Sequence, residues 1–338
     1  MKVLVCNEPG KFEYGSRQEP SLQTDMAIVK VKRIGICGTD LHAFEGTQPY
    51  FEYPRGLGHE LAGEIAAIGP SNEFATGDKV TFIPYFNCGH CIACRNGLSN
   101  CCTNMKVFGV HVDGGMAEYI SVPVHSLIQG RNLNLDELAL IEPLAIGAHA
   151  VRRAATKKDE WVLVVGAGPI GLGIAEFVKV AGGRLIVMDT NDNRLNFCKQ
   201  HNIDIVAINP LKENVMQRLK DVTGNDMPTL IFDATGSLNA INSAFQYMAH
   251  GGRFVLVGLQ KNEISFRHPE FHKREATLMS SRNATREDFE HAIRCIVDKR
   301  IDPLPYITNR VQFDQVKDEF AGWLDPRNGV IKAMVELN

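Results

Sequence analysis

Two rhythms of apolar and polar positions divide this chain. Up to about residue 145 the apolar residues come in short runs of strand type, MAIVKVKRIGI, ELAGEIAAIG, DKVTFIPYF and AEYISVP. Gly, Pro, Asn and Asp cut these runs at frequent intervals, which predicts a domain of strands and turns. From Trp161 strands alternate with amphipathic helices. WVLVVGAG reads as a buried strand and PIGLGIAEFVKVAGG as a helix ended by glycines. RLIVMD is the next strand, followed by a helix through NDNRLNFCKQHN, residues 191–202. The alternation continues through DIVAINP, KENVMQRLKDVTG, PTLIFDATG, NAINSAFQYMAHGG and RFVLVGL. Such alternation predicts a parallel, doubly wound sheet. Beyond about residue 284 an amphipathic helix, TREDFEHAIRCIVDKR, precedes short strands that end in IKAMVEL.

Length and composition narrow the class. At 338 residues the chain is long for one core, so two domains are expected. A net charge of −3 offers no basic field for nucleic acid or anionic lipid. The first residues, MKVLVCNEPGKFEYG, meet charge too soon for an export signal, and no later stretch is apolar enough to span a bilayer. The expectation is a cytoplasmic protein with no membrane or nucleic-acid partner. Its nine cysteines then need a reason, because the cytosol keeps thiols reduced. Five of them fall between residues 88 and 102, and clustering of that kind points to metal.

Gly166-Ala167-Gly168-Pro169-Ile170-Gly171 follows an apolar strand and opens a helix. Alone, GxGxxG is a weak signal; between a strand and a helix it is the signature of a dinucleotide site. The first glycine permits the turn, the second lets a pyrophosphate approach, and the third packs helix on strand. The helix N-terminus offers free N–H groups to the phosphates. Asp189 ends the next strand, eighteen residues past Gly171, where a carboxylate can accept hydrogen bonds from an adenosine ribose. Its charge would repel a 2′-phosphate, which favours NAD over NADP, although Arg194 nearby could accommodate one.

Cys88, Cys91, Cys94 and Cys102 read C-x2-C-x2-C-x7-C in a loop. Four thiolates close a tetrahedron around zinc and leave no position open for chemistry, so this site is structural. Cys101 cannot join the same tetrahedron. An iron–sulfur reading fits less well, because the bacterial ferredoxin run places its fourth cysteine sooner and follows it with proline. A second constellation is dispersed: Cys37 in GICGTDLH, His59 and Glu60 in GLGHE, Glu142 in LIEPL. Each residue alone has an ordinary structural reading.

Taken in order, the blocks GICGTDLH, GHE, the four-cysteine loop, DGGMAEY, EP and GAGPIG resemble the zinc-containing medium-chain dehydrogenases, over essentially the whole chain. The resemblance implies a GroES-like, mostly-β catalytic domain over 1–145, with the structural zinc loop at 86–103. It implies an inserted Rossmann-type NAD-binding domain over 146–284 and a return to the catalytic domain over 285–338. It implies two zinc ions per chain, one catalytic and one structural, and NAD as cofactor. Cys37 and His59 match the catalytic zinc ligands. Other alcohol dehydrogenases have a cysteine where this chain has Glu142; the polyol branch has glutamate. In that branch Glu60 and Glu142 alternate, one on the metal and the other through water, so both are candidates. Thr39 matches a relay hydroxyl that passes the substrate proton through the cofactor ribose towards His42, and Asp40 matches the residue that orients the histidine ligand. The family also implies a homo-oligomer, dimer or tetramer.

The implied reaction is zinc-assisted hydride transfer from a secondary hydroxyl to the nicotinamide. The stretches FHKREATLMSSRNATREDF, QPYFEYPRGLGHE and GVHVDGGMAEY resemble the sugar-acid branch, the bacterial L-galactonate 5-dehydrogenases. That branch oxidises a hydroxyl of an aldonic acid to a ketone. A carboxylate substrate wants a cationic or hydrogen-bonding partner, for which Arg282, Asn283 and His111 are candidates. The alternatives are a neutral polyol such as sorbitol, a threonine-type substrate, or a non-catalytic NAD-binding zinc protein. His149 reads as a core histidine, Asn283-Ala284-Thr285 as a chance glycosylation pattern, and Arg152, Arg153, Lys157 and Lys158 as a solvated helix face.

Overall fold

A computed structural model of the chain describes every residue except 50, 202 and 203. The first of these lies in the QPYFEYPRGLGHE stretch, and residue 202 ends the expected helix 191–202; both fall outside the described residues. The chain forms two compact units, one of Met1–Pro143 with Thr285–Asn338 and one of Leu144–Ala284.

In the first unit a seven-stranded sheet runs Ile307–Gln312, Lys332–Glu336, Met26–Gly35, Glu60–Ile68, Lys79–Phe82 and Leu127–Gln129, with Tyr119–Pro123 also paired to Met26–Gly35. The central strand Met26–Gly35 alternates buried with half-buried positions, as a strand with one face on a core must. Its inward residues Ala27, Val29, Val31 and Ile34 meet Leu61, Ile65, Val122 and Val335 in one core. Register positions the strand ends. Gly35 pairs with Glu60 on one side and with Met334 on the other, so three strands distant in sequence end together.

The second unit holds six parallel strands, in spatial order Val206–Ile208, Arg184–Met188, Trp161–Val165, Leu230–Asp233, Arg253–Leu256 and Thr277–Ser280. This is the doubly wound order, with the first strand in sequence at the centre. Trp161–Val165 is buried along almost its whole length, as a parallel strand covered on both faces should be. The expected helices appear at Pro169–Val180, Asp192–Gln200, Val215–Thr223 and Leu238–Ala244. The sixth strand, Thr277–Ser280, has no apolar run to announce it: only two of its residues are apolar and none is buried.

Candidate active site and metal centres

The dispersed constellation is assembled by strand ends and one short helix. Cys37 caps the helix Gly38–Phe44, directly after the strand Met26–Gly35, and His59 immediately precedes the strand Glu60–Ile68. Ligand atoms of Cys37, His59 and Glu60 lie within 4.8 Å of one another. Asp40, buried, accepts from the backbone N–H of Cys37 at 2.9 Å and from that of Gly58 at 3.0 Å. Its carboxylate therefore joins the two loops that carry Cys37 and His59. The His59 ring nitrogen Nδ1 is 3.8 Å from Asp40, too far for a hydrogen bond but within ion-pair distance, so Asp40 acts on the histidine by charge as well as through the loop. That nitrogen is buried without a hydrogen-bond partner.

Two further residues complete this cluster, and the sequence motifs point to neither. Lys332 Nζ donates to Glu60 Oε1 at 2.7 Å, to Oε2 at 2.6 Å and to the carbonyl of Ile36 at 3.1 Å, which engages all three of its N–H bonds. Lys332 is 3% exposed and Glu60 0%, so water cannot replace the pair. Gly35 makes room for it, because a Cβ there would stand 2.3 Å from Glu60 Oε2. Tyr85 donates its hydroxyl to Glu142 Oε1. Glu142 is buried beside the others but does not belong to the mutually close set of Cys37, His59 and Glu60. The one signal for Lys332 is a lysine in the apolar run VIKAMVEL. Tyr85 gives none, since FIPYF reads as an ordinary strand.

The electrostatics favour a cation. Burial opposes the charged imidazole of His59, yet Cys37 and Asp40 hold it well above the usual histidine range. Burial likewise opposes the Lys332 ammonium, and Glu60 outweighs it. Burial pushes Glu142 up to about 7, with His59 opposing and Glu60 adding to the rise. An orphaned imidazole nitrogen, a thiol and a carboxylate in an anionic surround are the donors a zinc ion takes.

The cysteine loop is a second, self-contained centre. Sulfur atoms of Cys88, Cys91, Cys94 and Cys102 all lie within 4.8 Å of one another, with Cys91 Sγ 3.5 Å from that of Cys94 and 3.9 Å from that of Cys102. Zinc–sulfur bonds of about 2.3 Å imply sulfur–sulfur edges of about 3.8 Å, so the spacing fits a tetrahedral ion. The backbone N–H groups of Cys94 and Thr103 hold the Cys91 thiol down to about 5. Cys101 is exposed and outside the set.

In the second unit, Gly166 turns at φ +100°, and a Cβ on Gly171 would fall 1.8 Å from the Gly166 carbonyl. Gly168 caps the helix Pro169–Val180, and a Cβ there would meet only Arg194 Nη1 at 3.9 Å. The backbone at Gly168 therefore leaves room for a phosphate at the start of that helix. Asp189 accepts from the N–H of Ala167 at 2.7 Å and from that of Asn191 at 2.8 Å, and Arg194 lies 3.9 Å from it. Nucleotide loop, aspartate and arginine are thus brought together.

The remaining candidates are spread more widely. Thr39 and His42 sit three apart on the helix Gly38–Phe44, Thr39 half-buried and His42 exposed with Nδ1 3.2 Å from Thr47 Oγ1. His111 is exposed and accepts from the N–H of Val107 at 3.0 Å. Arg282, exposed, and Asn283, in the left-handed region at φ 54°, follow the strand Thr277–Ser280. His149 is buried, with Nδ1 3.3 Å from Arg152. Among the described residues no helix is long and apolar enough to cross a membrane.

The alcohol dehydrogenase GroES-like domain matches residues 23–132, and the zinc-binding dehydrogenase family matches residues 169–298. The L-galactonate-5-dehydrogenase of Escherichia coli K12 is 41% identical over 336 residues, 99% of this chain and 98% of that one. The chain belongs to the zinc-type alcohol dehydrogenase family. This dehydrogenase is also similar to the 2-dehydro-3-deoxy-L-galactonate 5-dehydrogenase of Pseudoalteromonas atlantica, 32% identical over 310 residues, 90% of this chain and 89% of that one. Among solved structures, an alcohol dehydrogenase of Escherichia coli CFT073 complexed with NADH matches with a TM-score of 0.92 at 32% identity, covering 100% of this chain and 99% of that one. The dehydrogenase thus has a GroES-like, mostly-β part with an inserted Rossmann-type parallel sheet.

Proposed function

We propose that this dehydrogenase oxidises a secondary hydroxyl of a sugar acid, an aldonate of the L-galactonate type, to a ketone, with NAD as the hydride acceptor. The observation that carries the substrate class is the 41% identity to an L-galactonate-5-dehydrogenase along nearly the full length of both chains. Zinc would supply Lewis acidity to the substrate hydroxyl, and NAD would accept the hydride. Cys37, His59 and Glu60 hold the catalytic ion, with Glu142 in reserve beside them. Cys88, Cys91, Cys94 and Cys102 hold the structural one. Gly166, Gly168, Pro169, Ile170 and Gly171 cradle the pyrophosphate, and Asp189 receives the adenosine ribose.

The substrate proton must still reach water. Thr39 and His42 lie on one face of the helix Gly38–Phe44, half-buried and exposed in turn, which gives the proton a route from a hydroxyl to a solvent-facing imidazole. Asp40 keeps that helix joined to the loop of His59. Arg282 and Asn283, with His111, are the groups assigned to the substrate carboxylate. The enzyme is taken to work in the cytoplasm as a homo-oligomer.

The test is NADH formation by the zinc-loaded protein on L-galactonate, other sugar acids, sorbitol and L-threonine. Preference for L-galactonate, lost in Arg282→Ala with sorbitol turnover unchanged, supports the assignment. Turnover of sorbitol alone keeps the chemistry and removes the sugar acid.

A further inference from the structure

Resting on the reading of Gly166–Gly171 as the pyrophosphate cradle, we propose that Asp233 is a positioning residue for the nicotinamide half of the cofactor. It holds two loops, at the ends of neighbouring strands, in the shape that receives that half. In that reading Asp189, just past the strand Arg184–Met188, takes the adenosine ribose on one side of Trp161–Val165. The other half of a dinucleotide lies across the switch point of a doubly wound sheet, over the ends of Leu230–Asp233 and Arg253–Leu256. Asp233 is the last residue of the first of these strands and is fully buried. Its side chain serves the loop that follows it. Oδ1 accepts from the Thr235 hydroxyl at 2.6 Å and from the Thr235 N–H at 3.3 Å, and Oδ2 accepts from the Gly236 N–H at 3.0 Å. Its backbone carbonyl serves the neighbouring loop, accepting from the N–H groups of Val257 and Gly258, each at 2.9 Å. The two loops then touch with no side chain between them. A Cβ on Gly258 would stand 2.2 Å from the Gly236 nitrogen and 3.0 Å from Asp233 Oδ2, and one on Gly236, at φ +61°, would stand 2.5 Å from the Leu259 carbonyl oxygen. The first loop also reaches the cradle, since a Cβ on Gly166 would meet Thr235 Cγ2 at 2.8 Å. Burial pushes the Asp233 carboxyl up, and the bonds from Thr235 and Gly236 oppose the rise. Among the described residues every donor to this carboxylate is neutral. A buried acid met in this way costs stability that an apolar side chain would not. The core alone gives no reason for it; two loops that must keep one shape against a ligand do.

The experiment compares two probes on the full zinc-loaded chain: NADH, followed by its fluorescence, and ADP-ribose, which lacks the nicotinamide, followed by calorimetry. In Asp233→Ala the N–H groups of Thr235 and Gly236 lose their acceptor, and the ligand itself has to order the loops. NADH affinity is expected to fall about 10-fold while ADP-ribose affinity changes by less than about 2-fold. KM for NAD rises in step, and zinc content stays at the wild-type value. Asp233→Asn keeps one acceptor oxygen and falls between, with a loss of about 3-fold for NADH. Thr235→Val, which removes the hydroxyl donor, gives a loss of similar size for NADH alone and decides the matter should Asp233→Ala fail to fold. A merely structural role would weaken both probes by the same factor, or lower the melting temperature with both affinities kept; either result overturns the proposal. A wild-type chain that binds neither probe would remove the nucleotide site itself, and the proposal with it.

Discussion

The two candidate metal centres lie in the same unit and are built in opposite ways. The cysteine loop draws its four ligands from residues 88–102, and its spacing comes from local turns around the short helix Ile92–Arg95, which buries none of its own side chains. The dispersed centre takes Cys37, His59 and Glu60 from strand ends and balances their charge with Lys332, which is 272 residues from Glu60. A local centre is specified by a motif and can form once its loop closes around the ion. A dispersed one exists only when the sheet is complete, and it brings charged groups into the interior, where each needs a partner. Four thiolates around one ion suit a structural role; a set of three side chains would leave a ligand position open for chemistry.

Removing one ligand from each centre should separate the two. Cys37→Ser should lower NADH formation by about three orders of magnitude, since the Lewis acid supplies several kcal/mol to the reaction. The cysteine-loop zinc should survive, as metal analysis would show. In the metal-free chain Lys332→Met leaves Glu60 buried and uncompensated and should cost about 3–5 kcal/mol in urea unfolding. Adding Glu60→Gln to it should recover much of that loss. Cys91→Ser, by contrast, should release the loop zinc and expose residues 86–103 to protease while moving the melting temperature of the chain by less than about 4 °C. A global collapse of that variant would erase the distinction between local and distributed centres.

The sheet that supports the dispersed site should respond more weakly still. Asp136 joins Arg33 at 2.7 Å and Arg310 at 2.7 Å, and so ties the central strand to the strand Ile307–Gln312. Burial works against its charged form, but the bonds from Arg310 and Arg33 outweigh this and hold the carboxyl below its usual range. A depressed folded value means that the stabilisation is complete above the unfolded value of about 3.9 and is lost as pH falls through the lower folded one. Asp136→Asn should therefore cost about 1 kcal/mol or less at neutral pH, with the difference from wild type shrinking below about pH 4. Urea titrations at both pH values check this.

Legibility in the sequence follows the same division. The parallel sheet shows itself because WVLVVG, RLIVMD, LIFDATG and RFVLVG are apolar runs separated by helical periodicity. The strand Thr277–Ser280 does not, because only its two apolar residues are half-buried and its pairing with Arg253–Leu256 is set by tertiary contact. The cysteine loop can be read by spacing alone. Cys37, His59 and Glu60 gain meaning only as a set, since single residues of these types have ordinary structural uses. Lys332 and Tyr85 escape notice because their significance lies in the partner each meets, and strand register decides that meeting. Asp40 is legible as a neighbour of the histidine, but its grip on the backbone N–H groups of Cys37 and Gly58 is not, because it depends on how two loops meet.

Zinc content taken together with L-galactonate-dependent NADH formation, in the wild-type chain and in Cys37→Ser, decides whether the dispersed residues hold a catalytic ion. Two zinc ions per wild-type chain, falling to one in the variant with NADH formation lost, is the predicted result. One zinc in both proteins, or NADH formation that survives the substitution, would contradict it.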